Sequence, residues 1–174
     1  MYAAHFAAGL AIKGKVEKAP LWALLVGAFI PDFIWIVLAW RGVEPTDPKL
    51  YFDDWSHSLL MVVVWACLFA VFFYRRYGLA VFWAVWCAVF SHFLLDMPIH
   101  PKDLALYPHS AWHLGWGLWS IGPAKYWLVQ LAVTLLLLGA YAFWSRRRNA
   151  PWSRIAISCY LVLVLHLFGL PKDW

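Results

Sequence analysis

Residues 78–97 read GLAVFWAVWCAVFSHFLLDM. At about 1.5 Å of rise per residue, such a stretch of helix covers roughly 30 Å, the hydrocarbon thickness of a bilayer. The stretch is apolar as far as Phe90, and then Ser91-His92-Phe93-Leu94-Leu95-Asp96 places an imidazole and a carboxylate four positions apart. Four residues make about one helical turn, so both side chains point to one face. An ionisable pair in an apolar helix is costly to keep, and its default reading is a functional site.

The composition of the whole chain agrees with a membrane protein. Of its 174 residues, 64% are hydrophobic and 13% are charged, against about half and about a quarter in soluble domains. The 14 tryptophans fall largely near the ends of apolar runs, as an interfacial belt requires. The net charge of +5 does not point to nucleic acid, because the basic residues cluster in short loops between apolar runs. Cys67, Cys87 and Cys159 each lie inside an apolar run and read as buried thiols, not as a disulfide or a metal site. No cleavable signal peptide is expected, since the first apolar stretch is short, lacks a basic start and carries His5.

Hydropathy divides the chain into spans. Residues 2–12 are a short apolar segment that runs into Lys13, Lys15 and Lys18, expected to form a partly inserted N-terminal helix. Residues 20–40 are long enough to cross but contain Pro31-Asp32, and Pro31 removes a backbone donor and breaks or kinks the helix there. Residues 41–56 form an acid-rich loop with Pro45 and Pro48. Residues 57–74 and 78–97 cross and return through a short turn at Arg75-Arg76, so they are adjacent and antiparallel. Residues 98–122, rich in His, Pro, Trp and Gly, are long enough to be functional. Residues 123–145 and 152–171 cross last. The expectation is an all-α membrane protein forming a single transmembrane domain over residues 1–174, with about five spanning helices and one short N-terminal helix.

Basic residues set the orientation. Lys13, Lys15, Lys18, Arg75, Arg76, Arg146, Arg147, Arg148 and Arg154 fall on one side; Arg41, Lys49, Lys102, Lys125 and Lys172 fall on the other. The first side is expected to be cytoplasmic, with Arg146 to Arg148 acting as topogenic residues that meet anionic head groups without specificity. His5, Asp32, Asp53, Asp54, His57, His92, Asp96, His100, His109 and His113 then gather toward the extracytoplasmic half, bounded by loops 41–56 and 98–122. Six of the seven histidines share that layer.

Histidine with aspartate suits a borderline divalent cation, zinc first, with manganese or iron next. His92 and Asp96 offer one helix face, His57 starts the neighbouring antiparallel helix, Asp32 approaches from the kinked helix, and His5 would complete a second site. One or two ions so held would clamp a phosphoryl oxygen and activate water. Each residue also has a plainer reading. The His92–Asp96 pair makes an interhelical hydrogen bond, Asp32 caps the half-helix after Pro31, and Asp54 or Ser56 caps the helix of His57. His100 and His109 read as interfacial loop residues, and His166 as structural.

The order of His5, Pro31-Asp32, Trp55-Ser56-His57-Ser58 and Ser91-His92-Phe93-Leu94-Leu95-Asp96 with Pro98 resembles a bacterial family of inner-membrane, metal-dependent hydrolases. More distantly it is similar to zinc-dependent phospholipase C and its related nucleases. The resemblance implies His5, Asp32, His57, His92 and Asp96 as metal ligands and a phosphoester substrate. Three positions depart from those patterns: Ile34 stands where the family often has a second Asp, Phe52-Asp53-Asp54 where many members have His-Arg-Gly, and Gly117 where the phospholipase has a Glu four residues after its later His.

These readings lead to a membrane-embedded, zinc-dependent hydrolase of an ester, a phosphoester of a lipid or lipid-linked head group. Asp53 or Asp54 is the candidate proton acceptor, and His113 the candidate for orienting substrate or protonating the leaving group. The alternative is a non-catalytic membrane protein that binds metal or assists assembly. A metal carrier would need polar residues continuing to the cytoplasmic face, and the inner halves of residues 57–97 offer almost none.

Overall fold

The computed structural model describes residues 2–46 and 52–171; Pro48, Lys49 and Lys172 lie outside them. The described chain is mostly helical, with one short ladder: α1 (Tyr2–Lys15), α2 (Leu21–Gly27), α3 (Ile30–Trp40), α4 (Asp54–His57), α5 (Leu59–Tyr77), α6 (Leu79–Asp96), β1 (Leu104–Ala105), β2 (His113–Leu114), α7 (Pro123–Arg147) and α8 (Trp152–Leu167). Among the described residues, α5, α6 and α7 are each long and apolar enough to cross a membrane. The α2–α3 pair makes a fourth crossing if taken as one span, bent by 51° at the break before Pro31. The last helix is apolar but has 16 residues, shorter than the expected span over residues 152–171.

The α5–α6 hairpin is the scaffold. Val62, Ala66, Ala70 and Phe73 are the buried residues of α5, a stripe at spacings of four and three that presents one face to a partner helix. Ala70 and Phe73 pack with Val81, Ala84, Val85 and Ala88 of α6 in one apolar cluster. Large apolar side chains such as Leu68, Phe72, Trp83 and Leu136 stay exposed on the outside, where lipid would meet them. Gly78 makes the hairpin turn at φ +80°, a conformation that glycine enters without steric cost.

The first helix is short, as expected. It is also the central helix of the described bundle, packed against α2, α6, α7 and α8. Its buried residues are Ala3, Ala4, His5, Ala7, Ala8, Gly9, Leu10 and Gly14, mostly small, and small residues let helix backbones approach closely in a membrane. A Cβ on Gly14 would lie 3.0 Å from the Tyr141 carbonyl oxygen and 3.3 Å from Trp144 Cβ on α7.

Two local breaks shape the site end. His57 does not start the long helix as expected. It closes the one-turn α4, and extended Ser58 (ψ 150°) separates it from α5. Residues 98–122 fold back over the end of α6: the amides of Trp116, Gly117, Leu118 and Trp119 donate to the carbonyls of Met97, His100, Pro98 and Ile99. Gly115, at φ +138°, is required there, since a Cβ would collide with the Pro101 carbonyl and lie 2.6 Å from that of His100.

Replacing Gly14 by Val is expected to push α1 off α7 and cost about 1–3 kcal/mol, read as a lower thermal midpoint in detergent. Gly139→Ala, whose added Cβ meets no neighbouring helix within 4 Å, is expected to leave the midpoint unchanged or raise it.

Candidate metal centre

The five expected ligands meet. His92 and Asp96, one turn apart on α6, are both buried, with Asp96 Oδ2 3.0 Å from His92 Nε2. The other oxygen of Asp96 lies 3.3 Å from His5 Nε2, and the His5 ring stacks on that of His92 at 4.2 Å. Asp32 enters from the first turn of α3, its Oδ1 3.5 Å from His57 Nε2 and 3.6 Å from His92 Nε2. The two histidine Nε2 atoms are 3.3 Å apart. His92 thus belongs to two groups of possible ligands, one with His5 and Asp96 and one with Asp32 and His57.

The helix break serves the site twice. It turns Asp32 inward: the N-cap position of α3 is Phe29, and no side chain caps the helix, so the capping reading of Asp32 does not hold. The break also leaves the Ala28 carbonyl 2.8 Å from His92 Nδ1. A carbonyl only accepts, so Nδ1 carries a ring proton, and Nε2 is the atom that faces Asp96, Asp32 and His57. Metal-binding histidines are oriented in this way, by a hydrogen bond from the nitrogen that faces away.

The separations fit one cation. Zinc–nitrogen and zinc–oxygen bonds of about 2.0–2.1 Å place two ligands of a tetrahedral ion about 3.3–3.4 Å apart. The Asp32, His57 and His92 atoms form a triangle with edges of 3.3, 3.5 and 3.6 Å. One lone pair on His92 serves one ion, so a second ion would rest chiefly on His5 and Asp96.

A cavity of about 1230 Å³ opens onto the cluster, and Asp53, His100, Asp103, Trp127 and His166 also line it. Burial pushes the Asp53 carboxyl up from its ordinary pKa, and its Oδ1 has no hydrogen-bond partner among the described residues. The nearest ring nitrogen to its Oδ2 is His57 Nδ1, at 4.0 Å. His100 Nδ1 lies 3.2 Å from Asp103 Oδ1. Burial disfavours the charged form of His100, but the Asp103 hydrogen bond and the charges of Asp96, Asp103 and Asp53 outweigh it, so its pKa is raised.

Two candidates fall outside the cavity. Asp54 is buried, and its Oδ2 accepts the His109 amide at 2.6 Å, so it anchors loop 98–122 and does not face the cluster. His113 is exposed on β2, paired with Ala105. Conversely His100, taken from sequence as a loop residue, borders the cavity, and its acidic partner three positions on was the available signal. His109 is a loop residue as expected, at φ +62° and stacked on Phe52. His166 packs against Trp127 at 4.5 Å, as a structural residue would, but its ring also lines the cavity. Glu44, isolated in its loop, gave no sequence signal; it is buried and accepts the amides of Trp55 and Ser56 at 2.8 and 3.0 Å. That carboxylate, and neither Asp54 nor the Ser56 side chain, caps α4.

Residues 2–169 match the model of the family described as YdjM inner membrane protein, and the chain belongs to that family. No curated protein and no solved structure matches the chain.

Protein purified in detergent and loaded with zinc is expected to retain the metal, and Asp32→Asn, His57→Gln, His92→Gln and Asp96→Asn are each expected to lose most of it. His113→Gln is expected to keep the wild-type content. Elemental analysis of metal per chain, with thermal stability as control, distinguishes this from an interhelical hydrogen-bond network, in which none of the substitutions changes metal content.

Proposed function

We propose that this member of the YdjM inner membrane protein family is a metal-dependent hydrolase that cleaves a phosphoester of a lipid or lipid-linked head group at the extracytoplasmic membrane boundary. The observation that carries the reading is the triangle of Asp32, His57 and His92 donor atoms, spaced as ligands of one ion, at the wall of a large cavity. When bound, a zinc-class ion lowers the pKa of water toward about 7 and offsets negative charge on a phosphoryl oxygen.

The chain's own groups supply the proton traffic. Asp53, with a raised pKa and an unpartnered oxygen, accepts the proton of the attacking water. His100, held by Asp103, gives a proton to the leaving oxygen, the role the sequence reading assigned to His113. Water adds across one P–O bond, and the two protons are accounted for by these residues. The size of the cavity and its mix of polar and aromatic lining suit an amphiphile drawn from the bilayer.

The helix ends support this orientation. Lys13 and Lys15 end α1, Arg75 and Arg76 end α5, and Arg146 and Arg147 end α7. These are the ends opposite to His5, to the His57-bearing α4 and to Pro123. The positive-inside rule then turns the cluster outward. The inward face between α5 and α6 is Ala70 and Phe73 against Val81, Ala84 and Val85, which offers a cation no path across and argues against a carrier.

In mixed micelles of bacterial lipid extract, zinc-loaded protein is expected to release a phosphoester product detectable by 31P NMR; EDTA should stop the release and added zinc restore it. Asp53→Asn is expected to retain zinc and lose about 100-fold or more in rate. Stoichiometric zinc without any turnover of phospholipid or lipid-linked phosphoester would favour the non-catalytic metal-binding alternative. For orientation, single cysteines at Thr46 and Arg147, in a background lacking Cys67, Cys87 and Cys159, are expected to label with an impermeant maleimide in intact spheroplasts at Thr46 only. Labelling at Arg147 alone would place the site on the cytoplasmic face.

A further inference from the structure

Behind His57, on the side away from the other ligands, lie two residues outside the ligand set. We infer that Glu44 and Ser56 form a relay that fixes which nitrogen of His57 bears the ring proton, making both of them positioning residues of the centre. The inference rests on the reading of Asp32, His57 and His92 as metal ligands.

Glu44 follows α3 in the chain, and its side chain is buried, at 1% exposure. Its Oε1 accepts the amides of Trp55 and Ser56, and its Oε2 lies 2.7 Å from Ser56 Oγ. Three donors converge on one carboxyl group, which leaves none of its contacts without a proton. A carboxylate only accepts, so the single hydroxyl proton of Ser56 goes to Glu44; the competing Asp53 carbonyl is farther, at 3.0 Å. Ser56 Oγ is also 2.7 Å from His57 Nδ1. With its proton committed to Glu44, the hydroxyl oxygen can only accept from that nitrogen.

Nδ1 of His57 therefore carries the proton, and Nε2 turns a lone pair toward Asp32 and His92. His92 also donates from Nδ1, to the Ala28 carbonyl. Metal-binding histidines commonly hand their second N–H to a carboxylate or a carbonyl. Here a hydroxyl is interposed, so that Glu44 acts at one remove. Ser56 is fully buried, which excludes it as a nucleophile. Asp53 Oδ2, 4.0 Å from the same Nδ1, is too distant to take over the hydrogen bond as it stands.

The test has two readouts on full-length protein in detergent. Side-chain 15N NMR at mildly alkaline pH, on protein stripped of metal with EDTA, reports the tautomer, with His57→Gln identifying the signal. Chelator competition reports the zinc dissociation constant. Wild type is expected to show His57 protonated at Nδ1. Ser56→Thr keeps the hydroxyl and is expected to match wild type in both readouts. Ser56→Ala and Glu44→Gln are expected to mix the tautomers and weaken zinc binding about 10- to 100-fold. The Gln side chain still offers an acceptor to the Trp55 and Ser56 amides, so a purely structural cap would leave both readouts unmoved. A wild-type His57 protonated at Nε2, or Ser56→Ala and Glu44→Gln with unchanged tautomer and zinc affinity, overturns the relay. A tautomer that shifts as expected in a protein that binds no zinc upholds the relay and removes the metal reading instead.

Discussion

Two imidazole Nε2 atoms approach within 3.3 Å of one another beside two aspartates. In an apolar bundle that arrangement is unfavourable unless positive charge lies among them, because buried charges must be paired or coordinated. The surrounding architecture is arranged to hold it. The α2–α3 break turns Asp32 inward and frees the Ala28 carbonyl for His92. Extended Ser58 detaches His57 from the long helix that follows. One turn of α6 places Asp96 so that its two oxygens face different histidines. A proton shared among these groups satisfies the cluster partly; a divalent cation satisfies it with charge and geometry together.

Much of the cluster was legible in the sequence because periodicity and membrane depth act on residues that belong to regular helices. His92 and Asp96 are one turn apart, and that spacing alone puts them on one face. Asp32 was marked by the proline before it. His5 and His57 followed from counting residues inward from the basic ends. The rest depended on side-chain direction in irregular segments, which no period records. Asp53 and Asp54 are neighbours at the start of a one-turn helix, and one faces the cavity while the other takes the His109 amide. His100 lines the cavity because residues 116–119 hydrogen-bond back onto residues 97–100, a long-range pairing with no local signature. His113 lies on the outer strand of the same segment and faces away.

That α1 is enclosed on several sides was not legible in the sequence. Length decided the reading of this segment, and its alanines and glycines went unused. In a packed bundle, the same small residues are what a central helix needs, since they bring α7 and α2 close enough to enclose His5. A short apolar segment with a lone histidine is thus as compatible with a buried centre as with a marginal edge.

The central place of α1 also imposes an order on biogenesis. With 14 residues, the helix is about 21 Å long, shorter than the hydrocarbon core, and it gains little from lipid alone. It leaves the ribosome before every helix it packs against, and α7 and α8 leave last. Its seat between them exists only once translation of those helices is done. A helix made before its partners is therefore the last to be enclosed, and the cluster of His5, Asp32, His57, His92 and Asp96 is not enclosed until the chain that follows α6 has been made.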